Sequence, residues 1–305
     1  MSYFVVTGPT ACGKTAKAVA LAKAVDGEIL SADSRQVFRG MDIGSGKDLE
    51  EYGNVPYHLI DIRPAGYKYN LYEFLKDESE ARRRIISRGA TPVLCGGTGL
   101  YVESVIRGTV LPEVPCNEEL RMSLAGKPME ELGAILASMK KLHNVSDLDT
   151  EQRAIRAIEI QTYYNTHPEV AAAVANPQPL KNPVVIGLNI DRESRRHRIS
   201  LRLEARLEAG MVDETRRLLE QGVPPENMIN YGLEYKSLTL HLLGKLSYRE
   251  MKSQLEIAIH QFAKRQMTWF RGMERRGIHI HWLPYDMADD DFVAEALKLN
   301  IISHD

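Results

Sequence analysis

The sequence predicts an α/β protein: a parallel sheet flanked by helices, with an all-helical insertion. Three observations predict it. Short β-rich apolar runs alternate with longer helical stretches through the first 107 residues, the alternation lapses between about residues 114 and 182, and residues 191–276 are almost wholly helical in character. Alternation implies parallel strands covered on both faces, because a right-handed crossover between parallel neighbours needs an intervening helix.

The elements follow in order. Tyr3–Thr7 reads as a strand, and Thr15–Val25, rich in Ala, Leu and Lys, as the helix after it. Glu28–Ala32 and Tyr57–Ile62 are the next strands, then the helix Leu71–Arg88, the strand Thr91–Gly96 and the helix Leu100–Arg107. From there Pro112, Pro115, Pro128, Pro168, Pro177, Pro179 and Pro183 punctuate helical pieces such as Met129–Lys141 and Asp149–Tyr164, with no strand-like run between them. Pro183–Ile190 and Ile278–Leu283 return to the strand pattern. The expected domains are a core of residues 1–115 and 183–305 and a helical insertion of 116–182, without internal repeats.

Composition excludes several classes. With 44% hydrophobic and 26% charged residues, 14 Pro and 22 Gly in 305 residues, the chain is globular rather than disordered or collagenous. No apolar run approaches the ~18 residues of a membrane span. Met1-Ser2-Tyr3-Phe4-Val5-Val6 has neither the basic region nor the cleavage site of a signal peptide. The odd set Cys12, Cys95 and Cys116, without C-x-x-C spacing, argues against a disulfide framework or zinc site. A cytoplasmic protein is expected. The net charge of −2 hides an asymmetry: residues 191–276 carry 17 Lys+Arg against 12 Asp+Glu, and residues 277–305 carry 1 against 6. That basic block is either a solvated helical surface or an anion-binding one.

Gly8-Pro9-Thr10-Ala11-Cys12-Gly13-Lys14-Thr15 matches G-x-x-x-x-G-K-[ST] at every fixed position, between a strand and a helix as the motif requires. Its glycines let backbone N–H groups converge on phosphate oxygens at a helix start. Lys14 adds a point charge, and the Thr15 hydroxyl can ligate Mg²⁺. The sheet is therefore P-loop NTPase-like, and the ligand a polyphosphate of unspecified kind. Cys12 reads as a small filler, although a helix N-terminus lowers a thiol's pKa and would make it sensitive to alkylation.

Two strands run out into Asp, at Asp33 and Asp61, while Thr91–Gly96 runs into Gly97-Thr98-Gly99. Ligands in open α/β sheets bind beyond the carboxyl ends of the strands. Gly8–Thr15, Asp33-Ser34, Asp61 and Thr98 are thus expected to meet at one site. Asp33 reads as a metal ligand, a general base, or a turn residue. Asp61 is either a site residue or the anchor of the turn into Ile62-Arg63-Pro64.

Gly8–Thr15, Asp33–Gly44, Pro56–Asp61, Gly96–Tyr101 and Ala263–Arg271, in that order, resemble the tRNA dimethylallyltransferase (tRNA isopentenyltransferase) family over residues 3–283. The resemblance implies transfer of a five-carbon prenyl group from dimethylallyl diphosphate to N6 of the adenine 3′ of the anticodon, by a monomer using Mg²⁺. It implies Asp33 as general base with Thr98 and Arg202 in the catalytic set. Gly8, Pro9, Thr10, Ala11, Cys12, Gly13, Lys14 and Thr15 would form the diphosphate site, with Thr15 on the metal. Arg198 and Arg206 are weaker candidates for the same anion. Asp33, Ser34, Arg35, Gln36, Thr98, Arg121, Gln152, Arg153, Ala154, Ile155 and Arg156 would contact the anticodon stem-loop, with Arg153 and Arg156 on one helix face. Lys264, Arg265, Trp269 and Arg271 form a basic stripe with an aromatic, while Met267, Trp269 and Phe270 can equally pack in the core.

The sequence departs from the family pattern at Arg35, where a small or apolar residue is common, and at Tyr57, which replaces a histidine. It departs again at Gly232-Leu233-Glu234-Tyr235-Lys236, in place of Gly-Tyr-Lys-Glu, and at Leu148-Asp149-Thr150-Glu151 before the Gln-Arg pair. Rival readings are an adenylate isopentenyltransferase acting on free nucleotide, a nucleotide kinase with Arg195, Arg196 and Arg202 as lid arginines, and a non-catalytic RNA-binding paralogue. The long insertion and the Lys264–Arg271 block favour RNA over a free nucleotide.

Overall fold

Phe4–Thr7 (β1) runs through the middle of a six-stranded sheet in which every pairing is parallel. The structure, a computed structural model, describes residues 2–140 and 145–302. It divides into two units, Met1–Arg107 with Leu180–Asp305, and Gly108–Pro179.

After β1 the first unit continues with α1 (Lys14–Ala24), β2 (Gly27–Ser31), β3 (Phe38–Arg39), β4 (Tyr57–His58), β5 (Arg63–Pro64), α2 (Leu71–Ser87), β6 (Thr91–Gly96) and α3 (Gly99–Ile106). The second unit holds α4 (Glu118–Leu124), α5 (Met129–Met139), α6 (Glu151–Thr166) and α7 (Pro168–Ala175). The chain returns to the first unit as β7 (Val184–Asn189), α8 (Arg192–Glu208), α9 (Met211–Glu220), α10 (Pro225–Asn230), α11 (Leu233–Leu242), α12 (Tyr248–Arg275), β8 (His281–Pro284) and α13 (Asp289–Ile302). Strand order is β4-β2-β6-β1-β7-β8, with Phe4 in register between Val93 and Val184.

The period-2 alternation of a strand sends Phe4 and Val6 into a layer with Leu21 of α1 and Phe292 of α13. Tyr3 and Val5 enter the opposite layer with Phe74 of α2, Val102 of α3 and Phe270 of α12. Both faces are covered, which is why all four residues of β1 are apolar or buried. A third cluster packs Ile199 and Leu203 of α8 against Leu238 of α11 and Met251 and Leu255 of α12. The 28-residue α12 starts at a reciprocal Ser247–Glu250 capping box. No helix among the described residues is long and apolar enough to cross a membrane.

Two strand expectations needed correction. The run Tyr57–Ile62 is extended only at Tyr57–His58, because Leu59 (φ 68°) and Asp61 (φ 56°) take left-handed conformations that turn the chain. The turned segment pairs elsewhere: Asp61 and Arg63 donate their N–H groups to the Gln36 and Val37 carbonyls, and β3 and β5 form a separate small ladder. The last strand starts at His281 rather than Ile278. In the second unit, Leu132 and Leu136 pack on Ala154 and Ile158, and no strand occurs among its described residues. Helix α5 ends at Met139, and the expected end at Lys141 lies outside the described residues.

Candidate active site

The phosphate loop takes the shape its glycines allow. Gly13 has φ 83° and Ala11 φ 63°, left-handed conformations that curl the backbone just ahead of α1. Lys14 Nζ donates to the Pro9 carbonyl at 2.8 Å, which holds the ammonium across the loop. Gln266 of α12 ties the loop to the sheet: its Oε1 accepts the Thr10 N–H at 2.8 Å and its Nε2 donates to the Gly97 carbonyl at 2.9 Å. Thr10, Ala11, Gly13, Lys14 and Thr15 line a cavity of about 770 Å³; Gly8, Pro9 and Cys12 do not. Cys12 is 1% exposed and packs in the core, so the expected alkylation sensitivity gives way to the filler role.

Asp33, Ser34, Arg35 and Gln36 leave the end of β2 and line the same cavity. Asp33 Oδ1 accepts the Arg35 N–H at 2.8 Å, a local turn that fixes the carboxylate's direction. The Ser34 N–H donates to Thr98 Oγ1 at 3.3 Å, joining the exits of β2 and β6. Gln36 is mostly a brace: it accepts from Ser31 Oγ at 2.7 Å and donates to the Gly46 carbonyl at 3.1 Å. Asp61 is absent from the cavity wall. Its carboxylate pairs with the buried Lys47 and its carbonyl accepts from Arg39, so it anchors the turn and the expected convergence loses one member.

Arginines spaced by four residues place Arg198, Arg202 and Arg206 along one side of α8 facing the loop. Arg198 Nε donates to the Ala11 carbonyl at 2.8 Å, which puts this weaker candidate directly on the phosphate loop. Arg202 Nη2 donates to Asp48 Oδ2 at 2.7 Å.

Asp48, Glu51, Tyr52 and Phe262 of the wall carried no site signal in the sequence, and Gln266 and Glu234 lay in stretches compared with the family without a role of their own. The Gly44-Ser45-Gly46 turn was the one available hint, since two glycines mark a close backbone approach. Burial pushes the Glu234 carboxyl up, and pushes the Cys95 thiol and the Tyr101 phenol to about 12, so both of the latter stay neutral. Trp269 is 40% exposed on the wall, while Phe270 is fully buried and Lys264, Arg265 and Arg271 are exposed. Of the residues that could pack in the core, only Phe270 is fully buried; Met267 is half-buried and Trp269 belongs to the wall. A Cβ on Gly99 would meet Trp269 Cδ1 at 2.3 Å, so only glycine lets the indole lie against the start of α3.

The remaining candidates belong to the second unit. Glu159 is 2% exposed and accepts from Arg121 through Nε and Nη2, both at 2.9 Å, from the Asn117 N–H at 2.6 Å, and from Arg156. Burial pushes its carboxyl up, but those donors more than reverse the effect and hold it at about 2. Arg156 also donates to the Val114 carbonyl. Arg153 is exposed and pairs with Asp149 at 2.7 Å; Gln152 is exposed, Ile155 half-buried, and Ala154 fully buried, so the Ala154 side chain is not available to RNA.

The family model described as IPP transferase matches residues 36–273, and the one described as isopentenyl transferase matches residues 1–53. The chain is 56% identical over 304 residues to tRNA dimethylallyltransferase 1 of Parabacteroides distasonis, covering 98% of each chain. It is 50% identical over 301 residues to tRNA dimethylallyltransferase 1 of Geotalea daltonii, covering 98% of this chain and 94% of that one. Among solved structures it resembles a full-length tRNA isopentenylpyrophosphate transferase from Bacillus halodurans, with a TM-score of 0.71, 30% identity and coverage of 100% and 99%. A eukaryotic dimethylallyltransferase described as acting on tRNA shares the fold at a TM-score of 0.82 with 22% identity, over 99% of this chain and 80% of that one. With a phosphate loop, a carboxylate and arginines lining one cavity, and with matches along nearly its whole length, the chain belongs to the IPP transferase family.

Proposed function

We propose that the protein transfers a dimethylallyl group from dimethylallyl diphosphate to N6 of the adenine immediately 3′ of the anticodon in tRNA, giving N6-dimethylallyladenosine. One observation carries this reading: Lys14, Thr15, Asp33, Thr98 and Arg202 line a single cavity of about 770 Å³, with the anion-binding groups and the carboxylate on the same void.

In the reaction the allylic C1–O bond breaks and its electron pair leaves with the diphosphate, while N6 bonds to C1 and gives up a proton. The start of α1 at the phosphate loop, Lys14 and Arg202 stabilise the charge that develops on the departing oxygens. Asp33 accepts the N6 proton. Its Oδ1 is held by the Arg35 amide, so the carboxylate is oriented before the acceptor arrives. A positioned base of this kind contributes about 10²–10⁴-fold. Thr98 Oγ1 accepts from Ser34, which leaves its own O–H to donate toward the reacting groups.

The site suits Mg²⁺ held mainly by the substrate. No group of three or more His, Cys, Asp or Glu able to hold a metal exists among the described residues, whereas Thr15 offers a hydroxyl at the loop where phosphate oxygens can complete the shell. Bound there, the ion would neutralise leaving-group charge.

A monomer is the form expected to act, and a tRNA acceptor implies work in the cytoplasm. The second unit supplies RNA contacts through exposed Gln152 and Arg153, and recognition rests on loop shape, stacking and phosphate contacts. The test is an acceptor competition: protein, Mg²⁺ and labelled dimethylallyl diphosphate with unmodified tRNA and free AMP together. Label on the adenine beside the anticodon is expected; label on AMP alone would overturn the tRNA assignment.

A further inference from the structure

Arg206 is half-buried, with its side chain 15% exposed, and has no evident task. Its Nη2 is sealed from solvent and makes no hydrogen bond among the described residues, although it lies 3.6 Å from Asp48 Oδ2. Buried donors are rarely left in that state unless a ligand or water completes them. Arg206 lines the main cavity and shares a small recess with Thr10 and Ala11 of the phosphate loop and with Arg202. The Nη2 atoms of Arg202 and Arg206 converge on Gly46, where a Cβ would fall 2.7 Å from the first and 1.6 Å from the second.

Both guanidinium groups are ion-paired to a single oxygen, Asp48 Oδ2. Asp48 holds an unusual conformation to be there. Its φ is 45°, and it heads the short turn Leu49–Tyr52 without using its side chain to cap it. Burial and the neighbouring Arg202 pull Arg206 down to about 10, which leaves it protonated at neutral pH. Glu51 and Glu234 stand nearby, and burial pushes both carboxyls up, which weakens their claim on the two arginines.

We propose that Arg206 is a second arginine for the donor's diphosphate, and that Asp48 stands in for that anion and releases both guanidinium groups when the diphosphate arrives. The proposal rests on the reading of the phosphate loop as the diphosphate site. Asp48 offers one oxygen to two planar forks, whereas a diphosphate presents several oxygens and more charge, so the exchange satisfies the orphaned Nη2. Asp48 is then a positioning residue that holds both arginines aimed at one point before the diphosphate binds.

The test is titration calorimetry with inorganic diphosphate and Mg²⁺ on the full chain, comparing wild type with Arg206→Met, Asp48→Asn, the double variant and Lys14→Ala. Arg206→Met is expected to weaken binding about tenfold, as loss of a charge-assisted contact does. Asp48→Asn is expected to tighten binding about threefold, a gain the double variant loses; a purely structural Asp48 would not produce a gain. Should Arg206→Met fail to fold by thermal melting, Asp48→Asn alone decides. Unchanged or weaker binding by Asp48→Asn, or wild-type binding by folded Arg206→Met while Lys14→Ala loses it, overturns the proposal and leaves the loop assignment standing. Binding that survives Lys14→Ala overturns the loop assignment and the place given to Arg206 with it.

Discussion

Gln266 Oε1 accepts the backbone N–H of Thr10 at 2.8 Å, so a side chain in the middle of α12 holds one amide of the phosphate loop 256 positions away in sequence. The same carboxamide donates to the Gly97 carbonyl and is 7% exposed. Truncation leaves two buried backbone groups unpaired, at about 1–3 kcal/mol each when no water replaces the partner. Gln266→Ala should therefore lower thermal stability and raise the donor KM. Gln266→Glu keeps the acceptor for Thr10 but turns an oxygen on Gly97, so it should recover only part of the loss. Steady-state kinetics with both variants checks this, and equal behaviour of the two would remove the bridge from the account.

Asp33→Asn should reduce turnover by about 10²–10⁴-fold, the range for loss of a positioned base. Its Oδ1 can still accept the Arg35 N–H, so the turn persists and tRNA affinity should change little. Single-turnover rates and filter binding on the same preparation separate the two quantities.

Thr15→Val removes the hydroxyl that would touch Mg²⁺ and leaves Lys14 in place. The Mg²⁺ concentration for half-maximal rate should rise severalfold, with a smaller effect on rate at saturating metal. A metal titration at fixed donor concentration measures it, and an unshifted midpoint would move the metal off Thr15.

Arg153 and Arg156, although three residues apart on α6, should separate by function. Arg153 is exposed with only Asp149 as partner, so Arg153→Ala should weaken tRNA binding and reduce its salt dependence by about one counterion's worth. Arg156 serves Glu159 and the Val114 carbonyl, so Arg156→Ala should mainly loosen the helical unit. Binding isotherms across a salt series, alongside proteolysis of the insertion, distinguish them.

The Glu159 cluster also predicts acid behaviour. Its folded carboxyl sits at about 2 against an ordinary value of 4.5, so the unfolded chain binds the proton more readily. Its stabilising contribution is fully present above about 4.5 and is lost as pH falls toward about 2. Glu159→Gln should lower stability at neutral pH and flatten this acid limb, as read from melting temperature against pH.

Local patterns in the sequence determined the phosphate loop, the strand-helix alternation and the helical insertion. A G-x-x-x-x-G-K-[ST] turn works by the φ freedom of Gly13 and the start of α1, both short-range matters, and strand periodicity is likewise local. Asp33 and Thr98 were legible because parallel strands must deliver their carboxyl ends to one edge. Long-range contacts decided the rest. Asp61 resembled Asp33 at the end of an apolar run, yet two left-handed residues turned that run away and Lys47 took its carboxylate. Ala154 lay within the segment expected to contact RNA, yet its side chain packs in the insertion's own core. Arg198 reached the loop, Asp48 joined two arginines on a helix over 150 residues away, and Gln266 bridged two strand ends. Spacing puts the arginines on one side of a helix but does not name their partners, because the partner of a charged or amide side chain is fixed by where packing places whole helices.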